Sequence, residues 1–268
     1  MSASRISPRL VLACIGVGLL AGTLSGLFGV GGGIVIVPML SLLLGFDHRL
    51  AAGTSLAAIV PTATVGVVSY ATHGSVAWIP ALIIAAAAVV GAQGGTWLLH
   101  RLPLDALRWG FIAFLGFVVV MLFVVVPSRD AGFDLTWLSA LGLIGVGLFA
   151  GVLSGLLGVG GGIIVVPALM LLFGTSDLLA RGTSLLMMIP TAASGTVGNL
   201  RRGNVNVPVA LIVGASACLT TTLGAHAAKL MGPVASNVLF SLFIVFVAGH
   251  MAWDMLRGRG EDLDTEGS

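Results

Sequence analysis

The sequence predicts an all-α polytopic membrane protein made of two inverted-topology repeats. Each repeat has about five hydrophobic segments, with a Gly-interrupted or re-entrant helix. Three observations predict this: a composition too apolar for a soluble globule, a second half that repeats the first, and a charge distribution that turns the halves over. Of 268 residues, 57% are hydrophobic and 8% charged, against about 25% charged in a soluble domain. So little polar surface cannot solvate a globule of this size. The apolar runs are continuous and lack the roughly ten-residue alternating segments of an outer-membrane barrel. The lipid bilayer is therefore a partner. The net charge of +2, with no basic cluster among aromatics, gives no reason to expect nucleic acid. Cys14 and Cys218 lie inside apolar runs and read as small buried hydrophobes, not a disulfide framework or a metal site. No cofactor is expected.

The repeat is exact enough to align without a gap. Shifting the chain by 129 residues puts Gly18 on Gly147 and runs to Val76 on Val205, with more than half the positions identical. Ser25-Gly26-Leu27-Phe28-Gly29-Val30-Gly31-Gly32-Gly33 through Pro38 returns as Ser154-Gly155-Leu156-Leu157-Gly158-Val159-Gly160-Gly161-Gly162 through Pro167. Gly53-Thr54-Ser55 returns as Gly182-Thr183-Ser184, and Pro61-Thr62-Ala63 as Pro190-Thr191-Ala192. Four glycines within five residues should unwind or end a helix, since each costs roughly 1 kcal/mol relative to alanine. Arg5 and Arg9 before an apolar run have the look of a signal peptide. That reading is rejected, because the run from Gly18 has a twin in mid-chain and a cleaved leader would not.

In chain order the first repeat (residues 1–126) holds segments at about Leu10–Phe28, Ile34–Phe46, Leu50–Ala71, Val76–Leu99 and Leu104–Val126. A polar linker covers residues 127–134. The second repeat (135–256) holds Leu135–Leu157, Ile163–Phe173, Leu178–Leu200, Val205–Ala228 and Val234–Leu256. The charged tail, 257–268, is expected to be disordered. Together these make one membrane domain. The second segment of each repeat is short: about thirteen residues rise only about 20 Å against a core of about 30 Å. Either the glycines complete the crossing as extended backbone, or the segment re-enters as a hairpin. Both options return the chain to its starting side.

Lysine and arginine select the topology. With both termini cytoplasmic, nine arginines (5, 9, 49, 101, 108, 201, 202, 257 and 259) lie inside, and Arg129, Arg181 and Lys229 lie outside. Merging the first two segments into one crossing gives seven against five instead. The first topology wins. It leaves three net crossings per repeat, so the halves are inverted and their glycine breaks approach from opposite faces. Inverted repeats with interrupted helices are the architecture of many secondary transporters.

The doubled S-G-L-x-G-V-G-G-G-I-x-x-V-P, each copy followed by G-T-S-L and then P-T-A, resembles the TauE/SafE family of sulfite exporters, also described as a YfcA-like membrane family. The resemblance covers about Gly16 to Trp253. It implies a multi-pass transporter of the bacterial inner membrane. It further implies export of small anions such as sulfite, sulfoacetate or related organosulfur and carboxylate anions.

The residues themselves suggest where an anion would sit. Helix N-termini near Ile34 and Ile163 present free N–H groups and partial positive charge. Bare backbone at Gly29, Gly31, Gly32 and Gly33, and at Gly158, Gly160, Gly161 and Gly162, would let an oxyanion approach closely. Tight helix packing is the plainer use of such glycines. A dinucleotide fold is excluded by the missing G-x-G-x-x-G spacing and the lack of strands. The hydroxyls of Thr54, Ser55, Thr183 and Ser184 can donate to the same anion, or cap helices and bond back to carbonyls. Thr62 and Thr191 follow prolines that free a carbonyl in mid-segment. Asn199 is a polar residue in an apolar segment, followed by Arg201 and Arg202. His73, His100, His226 and His250 lie near segment ends and read as interfacial anchors. All ten acidic residues lie in loops, at segment ends or in the tail, which argues against a carboxylate-based cation pump.

Two other classes compete with a transporter. Ser216 and His250 would suit an intramembrane Ser/His hydrolase, if they came within hydrogen-bond reach. A non-transporting membrane scaffold is the other, although the short loops offer little surface to soluble partners. The substrate partner is thus a small-molecule anion, and assembly as a homo-oligomer is compatible with the sequence.

Overall fold

A computed structural model describes residues 8–98 and 136–266, with isolated helical positions 109, 112, 113, 116, 119 and 120 between them. The segment expected at Leu104–Val126, the linker 127–134 and His100 lie outside the described residues, those six positions apart. In chain order the helices are α1 (Pro8–Phe28), α2 (Gly33–Leu44), α3 (His48–Ala71), α4 (Trp78–Leu98), α5 (Trp137–Leu157), α6 (Gly162–Phe173), α7 (Asp177–Leu200), α8 (Val207–Leu230) and α9 (Pro233–Glu266). No strand occurs among the described residues. The tail expected to be disordered instead continues α9 to Glu266.

Helix ends follow the local chemistry. The Asp47 carboxylate accepts from Leu50 N at 2.8 Å to start α3, and Ser176 does the same from Leu179 N at 3.3 Å for α7. Gly45 and Gly174 end α2 and α6 in the left-handed region. Among the described residues, five helices (α1, α3, α4, α5 and α8) are long and apolar enough to cross a membrane. Their outer faces carry exposed Leu12, Leu82, Leu138, Leu211, Leu219 and Leu223. Exposed Trp78, Trp97 and Trp137 stand at helix ends, where indole rings suit a headgroup boundary. α7 is not among the five, because Asp177, Arg181 and Asn199 dilute its apolar content. All three are buried, so α7 turns its polar groups inward.

Packing is organised by exchange between the halves. α1 carries Gly18, Gly22 and Gly26, and a β-carbon there would collide with the carbonyl oxygens of Val213, Ala217 and Thr221 on α8. Both series ascend together, so α1 and α8 run parallel. Gly147, Gly151 and Gly155 of α5 meet the carbonyl oxygens of Ile84, Ala88 and Ala92 of α4 in the same way. In an apolar solvent these backbone-to-backbone seams replace hydrophobic burial as the attraction between helices. Gly22 is also the reason α1 has room for Thr220, whose Oγ1 donates to Leu19 O at 2.6 Å.

The inversion is visible in α3 and α7, which are equivalent in the repeat. Gly53 faces Asn199, Gly195 faces Leu56, Gly66 faces Leu185 and Gly182 faces Tyr70. One series ascends as the other descends, so the two helices are antiparallel. A repeat related by rotation about an axis along the helices would make them parallel. α1 then runs with α3, and the chain must come back between them. α1, at 21 residues, is about 31 Å long. The glycine stretch descends beside it, and Gly32 stands against Ala21. α2 covers the rest of the return. The return is thus made by a left-handed glycine turn, not the extended glycine backbone expected, followed by a short helix.

Candidate functional site

The two breaks have the same backbone. Gly29, Gly31 and Gly32 have φ of 70°, 71° and 76°, and Gly158, Gly160 and Gly161 have 71°, 80° and 80°. An L side chain in this region costs roughly 1–2 kcal/mol, which accounts for glycine at these six positions. Gly29 N still donates to Ser25 O at 2.8 Å, and Gly158 N to Ser154 O at 2.9 Å, closing α1 and α5. The carbonyl of Gly32 then accepts from Val35 N and Ile36 N, and that of Gly161 from Ile164 N and Val165 N.

Between those points the donors are unused. The N–H groups of Val30, Gly31, Gly32, Gly33 and Ile34 make no well-formed hydrogen bond to any described residue. The same holds for Val159, Gly160, Gly161, Gly162 and Ile163. All ten residues are buried. The hydroxyls of Ser25 and Ser154, equivalent in the repeat, are also buried without a partner. A buried donor left unbonded costs about 1–3 kcal/mol. Successive unbonded amides in a left-handed glycine turn, leading into a helix N-terminus, are chemically suited to an oxyanion.

The loops meet each other. A β-carbon on Gly33 would lie 2.9 Å from Gly158 O and from Val159 Cα; one on Gly162 would lie 2.8 Å from Gly29 O and 2.9 Å from Val30 Cα. Only glycine allows this approach. The level is that of Ile59 and Met188, near the middle of α3 and α7.

The hydroxyl residues singled out in the sequence build this arrangement. Gly53 and Gly182 let the carbonyls of Asn204 and Ser75, in the turns before α8 and α4, come into contact. Thr54 Oγ1 accepts from Asn206 N and Thr183 Oγ1 from Ala77 N, both at 3.0 Å. Ser55 Oγ donates to Gly158 O, and Ser184 Oγ to Gly29 O, again both at 3.0 Å. Each G-T-S triplet therefore joins its own helix to the other repeat: the glycine and threonine hold a turn, and the serine holds a break. Thr62 Oγ1 and Thr191 Oγ1 donate to Ala58 O and Met187 O one turn back, each at 2.8 Å, beside the prolines. Asn199 Nδ2 donates to Gly195 O at 3.0 Å, away from the loops. Ser216 Oγ donates to Ile212 O in its own helix, so no histidine holds its proton.

Two features escaped the sequence reading. Arg181, counted there with the outside loops, is 1% exposed and packs its Cα and Cβ against Gly29. Its Nη1 donates to Leu27 O at 2.6 Å, its Nη2 donates to Ser236 Oγ, and it stands 3.6 Å from the Asp177 carboxylate. A cation on the last carbonyls of α1 complements that helix dipole. Its position four residues after Asp177 was the available signal. Ile59 and Met188 are the second feature, and being apolar they gave none.

The family described as "Sulfite exporter TauE/SafE" matches residues 13–251. The chain is similar to the "Probable membrane transporter protein YunE" of Bacillus subtilis (strain 168), 26% identical over 88% of this chain and 95% of that one. It is similar to YdhB of the same organism, also named a probable membrane transporter protein, at 28% over 80% and 89%. A "Probable membrane transporter protein" of Xylella fastidiosa (strain Temecula1 / ATCC 700964) is 29% identical over 91% and 95%. No solved structure matches.

Proposed function

We propose that this chain, which belongs to the sulfite exporter TauE/SafE family, exports small oxyanions by holding them between its two glycine loops. Family and relatives make it a membrane transporter, and its helices make it an integral multi-pass one. The substrate class in this reading is sulfite, sulfoacetate and related organosulfur or carboxylate anions. The observation that supports it is a set of ten N–H groups on buried residues, five per loop, that make no well-formed hydrogen bond to a described residue. An oxyanion carries acceptors only and would satisfy several at once. The anion contacts are the backbone N–H groups of Gly31, Gly32 and Gly33 and of Gly160, Gly161 and Gly162, whereas those of Gly29 and Gly158 are committed to Ser25 O and Ser154 O and only shape the breaks. Ser55 and Ser184 hold the two breaks at the right spacing, and Thr54, Thr62, Thr183, Thr191 and Asn199 fix the helices behind them.

The termini are cytoplasmic and the membrane is the bacterial inner membrane in this reading. Burial of Arg181 supports that orientation, since nine arginines then oppose only Arg129 and Lys229. An inside-negative potential favours anion export by about 2.3 kcal/mol per charge per 100 mV.

The test is flux from proteoliposomes loaded with sulfite, thiosulfate, sulfoacetate or taurine, with and without a proton gradient. Saturable flux of the anions is expected, with zwitterionic taurine slower. Gly32→Leu and Gly161→Leu should each abolish it while inserting normally. Wild-type flux in both variants would sink the reading.

A further inference from the structure

We infer that Met188 is the specificity-determining gate between the two glycine loops, a role that rests on reading those loops as the anion site. A β-carbon on Gly31 or on Gly160 would collide with the same atom, Cε of Met188. One on Gly162 would lie 2.8 Å from its Sδ. The end of this side chain therefore fills the gap between the loops and touches both. Its repeat mate Ile59 closes the gap from the other side, with Cδ1 2.8 Å from a β-carbon on Gly33 and 3.2 Å from one on Gly160. Both residues are fully buried. An oxyanion that accepts from N–H groups on the two facing loops must occupy the volume these side chains hold.

The two are not equal in how they can yield. Isoleucine is branched at Cβ and stiff at χ1. Methionine is unbranched, has three rotatable bonds and adapts to its surroundings. Both stand two residues before a proline, Pro61 or Pro190, where the helix lacks a hydrogen bond. The flexible member is thus the one that swings aside, and the volume it clears sets the size of anion admitted. The duplication placed the same position on both sides, and only the second half carries a side chain that can move out of the way without shifting its helix.

The experiment compares wild type, Met188→Ala and Met188→Ile in proteoliposomes, with sulfite as the small anion and sulfoacetate as the large one. Met188→Ala should raise the sulfoacetate-to-sulfite flux ratio by about tenfold, the scale of discrimination by one or two methylene-sized contacts. Met188→Ile, equally bulky but stiff, should slow both anions at least tenfold and leave the ratio alone. A ratio unchanged in Met188→Ala, or full flux in Met188→Ile, overturns the gate. If wild type moves none of the anions, the glycine-loop reading has failed, and a second measurement judges the gate by itself. In a Cys14→Ala, Cys218→Ala background, Met188→Cys should react with a small water-soluble methanethiosulfonate and Ile59→Cys at least tenfold more slowly. No reaction at position 188, or equal rates at both, overturns it.

Discussion

The first and second glycine breaks share a backbone and differ in what presses on it. Their φ values agree within 9°, and each has its leading carbonyl held by a serine of the other repeat. Against Gly158 lies Ala52, small and uncharged; against Gly29 lies its counterpart Arg181, whose guanidinium ties α1 to α7 and α9. The geometry of the break is thus a property of the duplicated motif. The charge beside it belongs to one half alone. The backbone of the two breaks is nearly symmetric, while the structure around it is fastened more firmly on one side.

The strongest way to sharpen that contrast is to remove the fastening. Arg181→Leu takes the cation away from the buried Asp177 carboxylate, a type of change that costs about 3–5 kcal/mol. Ala52→Leu, at the mirror position, only overpacks, at about 1–3 kcal/mol. Thermal unfolding in detergent should therefore fall further for Arg181→Leu, and adding Asp177→Asn should recover part of the loss. Equal losses would mean that the charge has no special structural role.

Next in size, Gly31→Ala and Gly160→Ala should weaken the fold equally, by about 1–2 kcal/mol of left-handed backbone strain apiece. Both also drive a methyl into Met188, so adding Met188→Ala should relieve part of each. A clear difference between the two in the same unfolding assay would break the equivalence of the loops. The smallest effect is expected from Ser55→Ala and Ser184→Ala, each losing one buried hydrogen bond worth about 1 kcal/mol. Their unfolding midpoints should drop by similar amounts. A much larger drop for Ser55→Ala would show that the half without an arginine depends more on its serine.

The repeat, the helical class and the inversion were legible because they leave marks in one dimension: identical residues at a fixed offset, unbroken apolar runs, unequal loop charge. The G-T-S triplet was legible as a motif, and its work was not. Thr54 and Ser55 have partners more than a hundred residues away, and nothing in the sequence names a partner. Arg181 was misplaced because a cation near a segment end normally sits in a loop, and here a nearby carboxylate and a helix C-terminus let it go inside. Met188 was silent for another reason. An apolar residue in an apolar segment stands out only when its neighbours in space are known. The glycines at every fourth position of α1 and α5 were in plain view, but their meaning depends on which helix lies opposite.

The crossed seams, with α1 on α8 and α5 on α4, have a consequence for biosynthesis. Neither half contains the surface its own first helix needs. A ribosome adding about 5–20 residues per second takes roughly 10–40 s to pass from the end of α1 to the end of α8. Throughout that interval the furrow of Gly18, Gly22 and Gly26 faces lipid or an insertion chaperone. A chain halted after α4 would hold a helix awaiting a mate that never arrives, and quality-control proteases recognise such orphans.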